Sequence, residues 1–113
     1  MTDILVEKNP SHIDEVQMTA ILNDLRDLGY PSEAMEQSTI LKAAWWVLVI
    51  HWVGGDLLHF GFDSTLTVLG QRVWKRYREQ GKTGPKRIDV VDVDDNTIAS
   101  HEIEYDDVGD DDS

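Results

Sequence analysis

The sequence predicts a small α+β domain, and three observations carry that prediction. An amphipathic helical pattern lies near the N-terminus, a Trp- and Gly-rich apolar run occupies the middle, and two runs rich in β-branched residues flank a turn near the C-terminus. Strands and helices that do not alternate regularly are the pattern of a sheet with helices gathered on one side. At 113 residues the chain has room for one core of modest size. A single domain is expected over residues 1–105, with 106–113 as a disordered acidic tail.

Asp3-Ile-Leu-Val-Glu7 reads as a first strand closed by Asn9-Pro10. Ser11, with Asp14 three residues on, supplies acceptors for the free amides of a first helical turn. Ile13, Val16, Met18, Ile21, Leu22, Leu25 and Leu28 then recur at the spacing of one buried helical face. Gly29 is placed to end that helix in the left-handed conformation, and Tyr30-Pro31 prevent its continuation. Residues 32–40 supply a weaker second strand.

The run from Ala43 to Phe62, AAWWVLVIHWVGGDLLHFGF, is the hardest to place. A membrane-spanning helix needs about 20 mainly apolar residues, and the run supplies them. Asp56 inside it costs roughly 2.5 to 3.5 kcal/mol on an insertion scale. The basic residues that follow would hold its C-terminal side in the cytoplasm and require the acidic residues before it to be carried across. A packed helical region therefore fits better, either one helix or two that meet at Gly54-Gly55, where missing side chains allow a kink or a close approach.

Asp63-Ser64-Thr65 offers a cap for a further helix through Leu66, Leu69, Val73 and Tyr77, ending at Gly81. Ile88 to Val93 and Thr97 to Tyr105 read as a hairpin around Asp94-Asp95-Asn96. The expected architecture is thus a small sheet made of the N-terminal strand, the C-terminal hairpin and the weaker second strand. The amphipathic helix and the Trp/Gly-rich helical region would cover it.

The formal charge is −12 at pH 7, and its spread is informative. Seven of the ten basic residues lie between Arg72 and Arg87, whereas eleven acids and no Lys or Arg follow from Asp89 onward. Acidic excess repels phosphate, so nucleic-acid binding is not expected. With no cysteine there is no disulfide framework or thiolate chemistry. The start MTDILVEK lacks the order of a signal peptide, and a cytoplasmic location is expected.

Chemistry-bearing patterns are few. Trp52, Asp56, His59 and Asp63 would share one face of a continuous helix, where two carboxylates around an imidazole can hold a divalent metal. A polar stripe at the edge of a buried helix explains the same residues without a site. Asp92-Val-Asp94-Asp-Asn96 opens like a calcium loop, but Thr97 stands where that loop needs Gly and Ile103 where it needs Glu. A hairpin turn stabilised by Asx side chains is the better reading. No catalytic residue, metal or cofactor is expected.

The order of elements is itself suggestive. A short strand, a helix ending LRDLGYP, a Gly-containing apolar stretch leading into RVWKRYR, and a final hairpin RIDVVDVDDNTIASHEIEY resemble small bacterial effector-associated proteins of conflict and signalling systems. The resemblance covers residues 3–105 and implies a non-enzymatic adaptor that recruits another protein. It carries over no site residue.

The sequence therefore points to an interaction module that binds a protein partner or itself through the Trp-rich region or a sheet edge. Trp45, Trp46, Trp52, Gly54, Gly55 and Phe60 are the expected contact residues. The alternative is a small membrane-associated protein inserted through residues 43–62, with the basic patch Arg72, Lys75, Arg76 and Arg78 against anionic headgroups.

Overall fold

The computed structural model describes residues 2–8, 13–36, 46–54, 62–82 and 84–103. Seven elements follow in the order β1 (Ile4–Glu7), α1 (Glu15–Asp27), β2 (Ser32–Met35), β3 (Val47–Trp52), α2 (Phe62–Glu79), β4 (Arg87–Val91) and β5 (Thr97–Glu102). They form the expected α+β fold, with one five-stranded mixed sheet of order β2-β1-β3-β4-β5. β1 runs parallel to β2 and β3 parallel to β4, whereas β1–β3 and β4–β5 are antiparallel. Each parallel pair is bridged by a helix, α1 in one case and α2 in the other, because parallel neighbours need a long crossover.

The ends of α1 follow the rules read from sequence, with one shift. Its N-cap is Asp14, whose side chain accepts from the Gln17 amide at 2.8 Å. Ser11 lies outside the described residues. At the other end Gly29 has φ +98°, and the Tyr30 amide donates to the Leu25 carbonyl while that of Gly29 donates to Arg26. This is a Schellman closure. α2 ends in the same way, with Gly81 at φ +67° and Lys82 donating to Tyr77.

The main correction concerns residues 47–52, which form a strand and not part of a helical region. All six are buried, and β3 sits at the centre of the sheet, hydrogen-bonded to β1 on one side and β4 on the other. A strand covered on both faces loses the alternation that marks half-buried strands and reads as a continuous apolar run. Three of the six residues are β-branched, and Trp52 is aromatic, which suits a pleated backbone. The sheet therefore gains a central strand and the helical layer loses one element.

Side chains separate by strand parity. Leu48, Ile50 and Trp52 join Ile4, Val6, Ile88 and Val90 against Ile21 and Leu25 of α1 and Leu66, Leu69, Val73 and Tyr77 of α2. Val47, Val49 and Val91 form a second buried cluster on the opposite face. The helices are held to each other by polar contacts. Arg76 pairs with Asp24 at 2.6 Å, Arg72 reaches Asp24 at 3.4 Å and Asp27 at 3.7 Å, and the Gln17 and Gln80 amides bond at 2.8 Å. Burial and the Asp14 carboxylate, opposed by Arg76, push the Tyr77 hydroxyl up to about 12.

β5 is not a plain edge strand. Val90 pairs with Ala99 and Val91 with Thr97, so Ile98 is an extra residue, and it packs against the main core. Such a bulge twists the edge and re-aims a side chain.

Candidate functional site

The structure describes only some of the residues singled out in the sequence. Trp45, Gly55, Asp56, His59 and Phe60 lie outside the described residues. β3 ends at Trp52 and α2 begins at Phe62, so Trp52 and Asp63 do not belong to one continuous helix. Among the described residues no group of three or more His, Cys, Asp or Glu is arranged to hold a metal ion. Asp92 serves the hairpin turn, its Oδ1 accepting from the amides of Asp94 at 2.9 Å and Asn96 at 3.0 Å.

The two described central tryptophans have different fates. Trp52 is 6% exposed and meets Tyr30 edge to face at 6.1 Å. Trp46 is 40% exposed at the start of β3, and its carbonyl accepts from the Lys86 amide at 2.7 Å. Gly54 is no helix kink. A Cβ there would stand 2.7 Å from the Asp3 carboxylate oxygen, so its missing side chain admits a close approach between the end of β3 and the start of β1.

The basic patch also divides. Arg72 and Arg76 are held by the acids of α1, whereas Lys75 and Arg78 remain on the exposed side of α2. The Arg78 guanidinium lies over the Trp74 ring at 5.0 Å, within cation–π reach. Among the described residues no helix is long and apolar enough to cross a membrane. Residues 47–52, in the first half of the apolar run from Ala43 to Phe62, are the central strand of the sheet.

Two arrangements emerge that sequence reasoning did not find. The first is a buried polar cluster. His51 Nε2 contacts the Glu7 carboxylate, and its Nδ1 lies 3.7 Å from Asp95 Oδ1. Glu7 comes from β1, His51 from β3 and Asp95 from the β4–β5 turn, where it adopts φ +64°. Nε2 is thus hydrogen-bonded to Glu7, while the Asp95 contact is longer than a hydrogen bond and its carboxylate is 33% exposed. The arrangement is suited to holding the hairpin turn near the middle of the sheet, since a buried histidine needs a hydrogen-bond partner and finds one on β1, with its other nitrogen beside the turn.

The second is a cleft of about 280 Å³ between α2 and β5, lined by Thr67, Gly70, Gln71, Trp74, His101, Glu102 and Ile103. Gly in a helix interior costs about 1 kcal/mol relative to Ala, and Gly70 has a packing reason. A Cβ at this position would come within 3.3 Å of the His101 ring, so the bare backbone lets α2 settle close over β5. Trp74 forms part of the wall, and its indole nitrogen is buried with no hydrogen-bond acceptor among the described residues. Beyond Ile103 the backbone pairing continues, the Ile103 amide donating to the Lys86 carbonyl at 2.8 Å and the Lys86 amide to the Trp46 carbonyl. These bonds place Lys86 and the 40% exposed Trp46 just ahead of β4 and β3, the strands next to the cleft edge.

The signal for this cleft in the sequence was slight. Thr67, Gln71, Trp74 and Arg78 recur at spacings of four, three and four, the face of a helix, but what faces them depends on strand order. Compared with protein families, with characterised proteins and with solved structures, the chain matches none.

Proposed function

We propose that this protein is a non-enzymatic interaction module, an adaptor of the kind used in prokaryotic signalling or conflict systems, working in the cytoplasm. Its partner docks on the surface formed by the α2–β5 cleft and the adjoining end of the sheet. The observation that carries this reading is the open cleft with Trp74 in its wall, joined through Ile103 and Lys86 to a tryptophan that is 40% exposed. Tryptophan is enriched among the residues that dominate binding energy at protein interfaces, and a pocket beside an edge strand is the usual setting for capture of an extended segment.

Membrane insertion through residues 43–62 would require β3 to leave the centre of the sheet, with the loss of its pairing to β1 and β4.

Capture of the partner from cells that natively make the protein tests the proposal. Trp46→Ser and Gly70→Leu are expected to lose the partner, whereas Val16→Ser, at a position 71% exposed on α1, retains it. Retention by both the Trp46→Ser and Gly70→Leu variants, with folding intact by circular dichroism, would reject this docking surface.

A further inference from the structure

What docks on the α2–β5 surface is decided by the charges around it. With a net charge of −12 the molecule repels an acidic partner over most of its surface. The end where α2 closes and β4 begins differs. Among the described residues, Lys75, Arg78, Lys82 and Lys86 stand there against Glu79 and Glu102. Lys75, Lys82 and Lys86 are exposed and make no ion pair with a described residue, unlike Arg72, Arg76 and Arg87, which are held by Asp24, Asp27 and Asp89. The cleft opens onto this end, since Ile103 both lines it and bonds to Lys86.

At about 280 Å³ the cleft is at or below the small end of small-molecule sites, and it suits one aliphatic side chain. We infer that its occupant is an extended acidic segment of a partner protein. One apolar side chain enters over Gly70, and carboxylates on either side of it lie against Lys75, Lys82 and Lys86. The alternation follows from extended backbone, whose successive side chains point to opposite sides. This inference rests on the docking surface proposed above and adds the chemistry of what binds there.

The experiment is a titration of the ¹⁵N-labelled full chain, followed by amide and indole resonances, with two capped pentapeptides. One alternates glutamate with leucine and the other alternates lysine with leucine. Vesicles of phosphatidylserine and phosphatidylcholine are a third arm. The acidic peptide is expected to shift Gly70, Gln71, His101, Ile103 and the Trp74 indole saturably. The combined substitution Lys75→Glu, Lys82→Glu and Lys86→Glu, all on the surface, should weaken that binding by about tenfold or more, with the unfolding midpoint unchanged.

If the lysine peptide shifts these residues and the acidic one does not, the acidic assignment is overturned while the docking surface stands. If neither peptide reaches them, both fall. Shifts produced by vesicles alone would make this a membrane-facing surface. Shifts that grow with protein concentration and no added peptide would make the occupant a second copy of the chain. Either result overturns the inference.

Discussion

His51 is the residue whose surroundings most constrain its role. It belongs to a strand whose six residues are all buried, its Nε2 bonds the Glu7 carboxylate of β1, and its Nδ1 lies 3.7 Å from Asp95 of the hairpin turn. Removing one partner of a buried hydrogen bond leaves the other unsatisfied and costs more than replacing both by apolar groups. His51→Leu is therefore expected to lower the unfolding free energy by about 3 kcal/mol, and Glu7→Leu combined with His51→Leu to recover most of that loss in urea titrations. Equal losses in the single and double variants would show that Glu7 and His51 are not coupled. Tyr77 gives a second test. Its folded hydroxyl titrates at about 12 against an ordinary 10.0, so the folded state keeps a proton that the unfolded chain has released. The resulting stability is complete below pH 10 and is lost as pH rises toward 12. Tyr77→Phe should flatten that decline, and an unchanged slope would assign it to other groups.

Among the elements, α1, α2 and the hairpin announce themselves locally. Asp14, Gly29 and Gly81 act within a few residues of themselves, through a side-chain cap or a left-handed backbone, so the helix ends are legible without any tertiary knowledge. The Asx turn at Asp92 is legible for the same reason. β3 is not. VLVIHW carries no alternation because both faces are buried, and a short apolar run of this kind cannot be told from a buried helix by periodicity. Its β-branched content was the available clue, outweighed by the length of the apolar run around it. The cluster of Glu7, His51 and Asp95 stayed hidden for a related reason, since it exists only once β3 lies beside β1 and the hairpin is in register. Hydrogen exchange tests the central placement. The β3 amides, bonded to strands on both sides, are expected to exchange only through global unfolding, whereas those of β5 open more readily. Faster exchange in β3 than in β5 would contradict the strand order.

For the whole molecule, the separation of roles is by face and by edge. The two helices and the sheet face beneath them supply the main core, and the ion pairs of Arg72 and Arg76 with Asp24 and Asp27 lock helix to helix. Those pairs remove half of the basic patch expected from sequence and leave the remaining cations at the end where the cleft opens. The cleft exists because Gly70 allows α2 to lie close to β5, a juxtaposition that depends on the order of strands and is not written in either segment alone. The proposed function rests on this edge being the side that meets a partner. A photo-reactive residue placed in living cells at Gln71, exposed in the cleft wall, or at Val16, exposed on α1, measures this directly. A discrete covalent adduct from position 71 and none from position 16 is the result predicted here; no adduct at 71, or the same adducts from both positions, would contradict it.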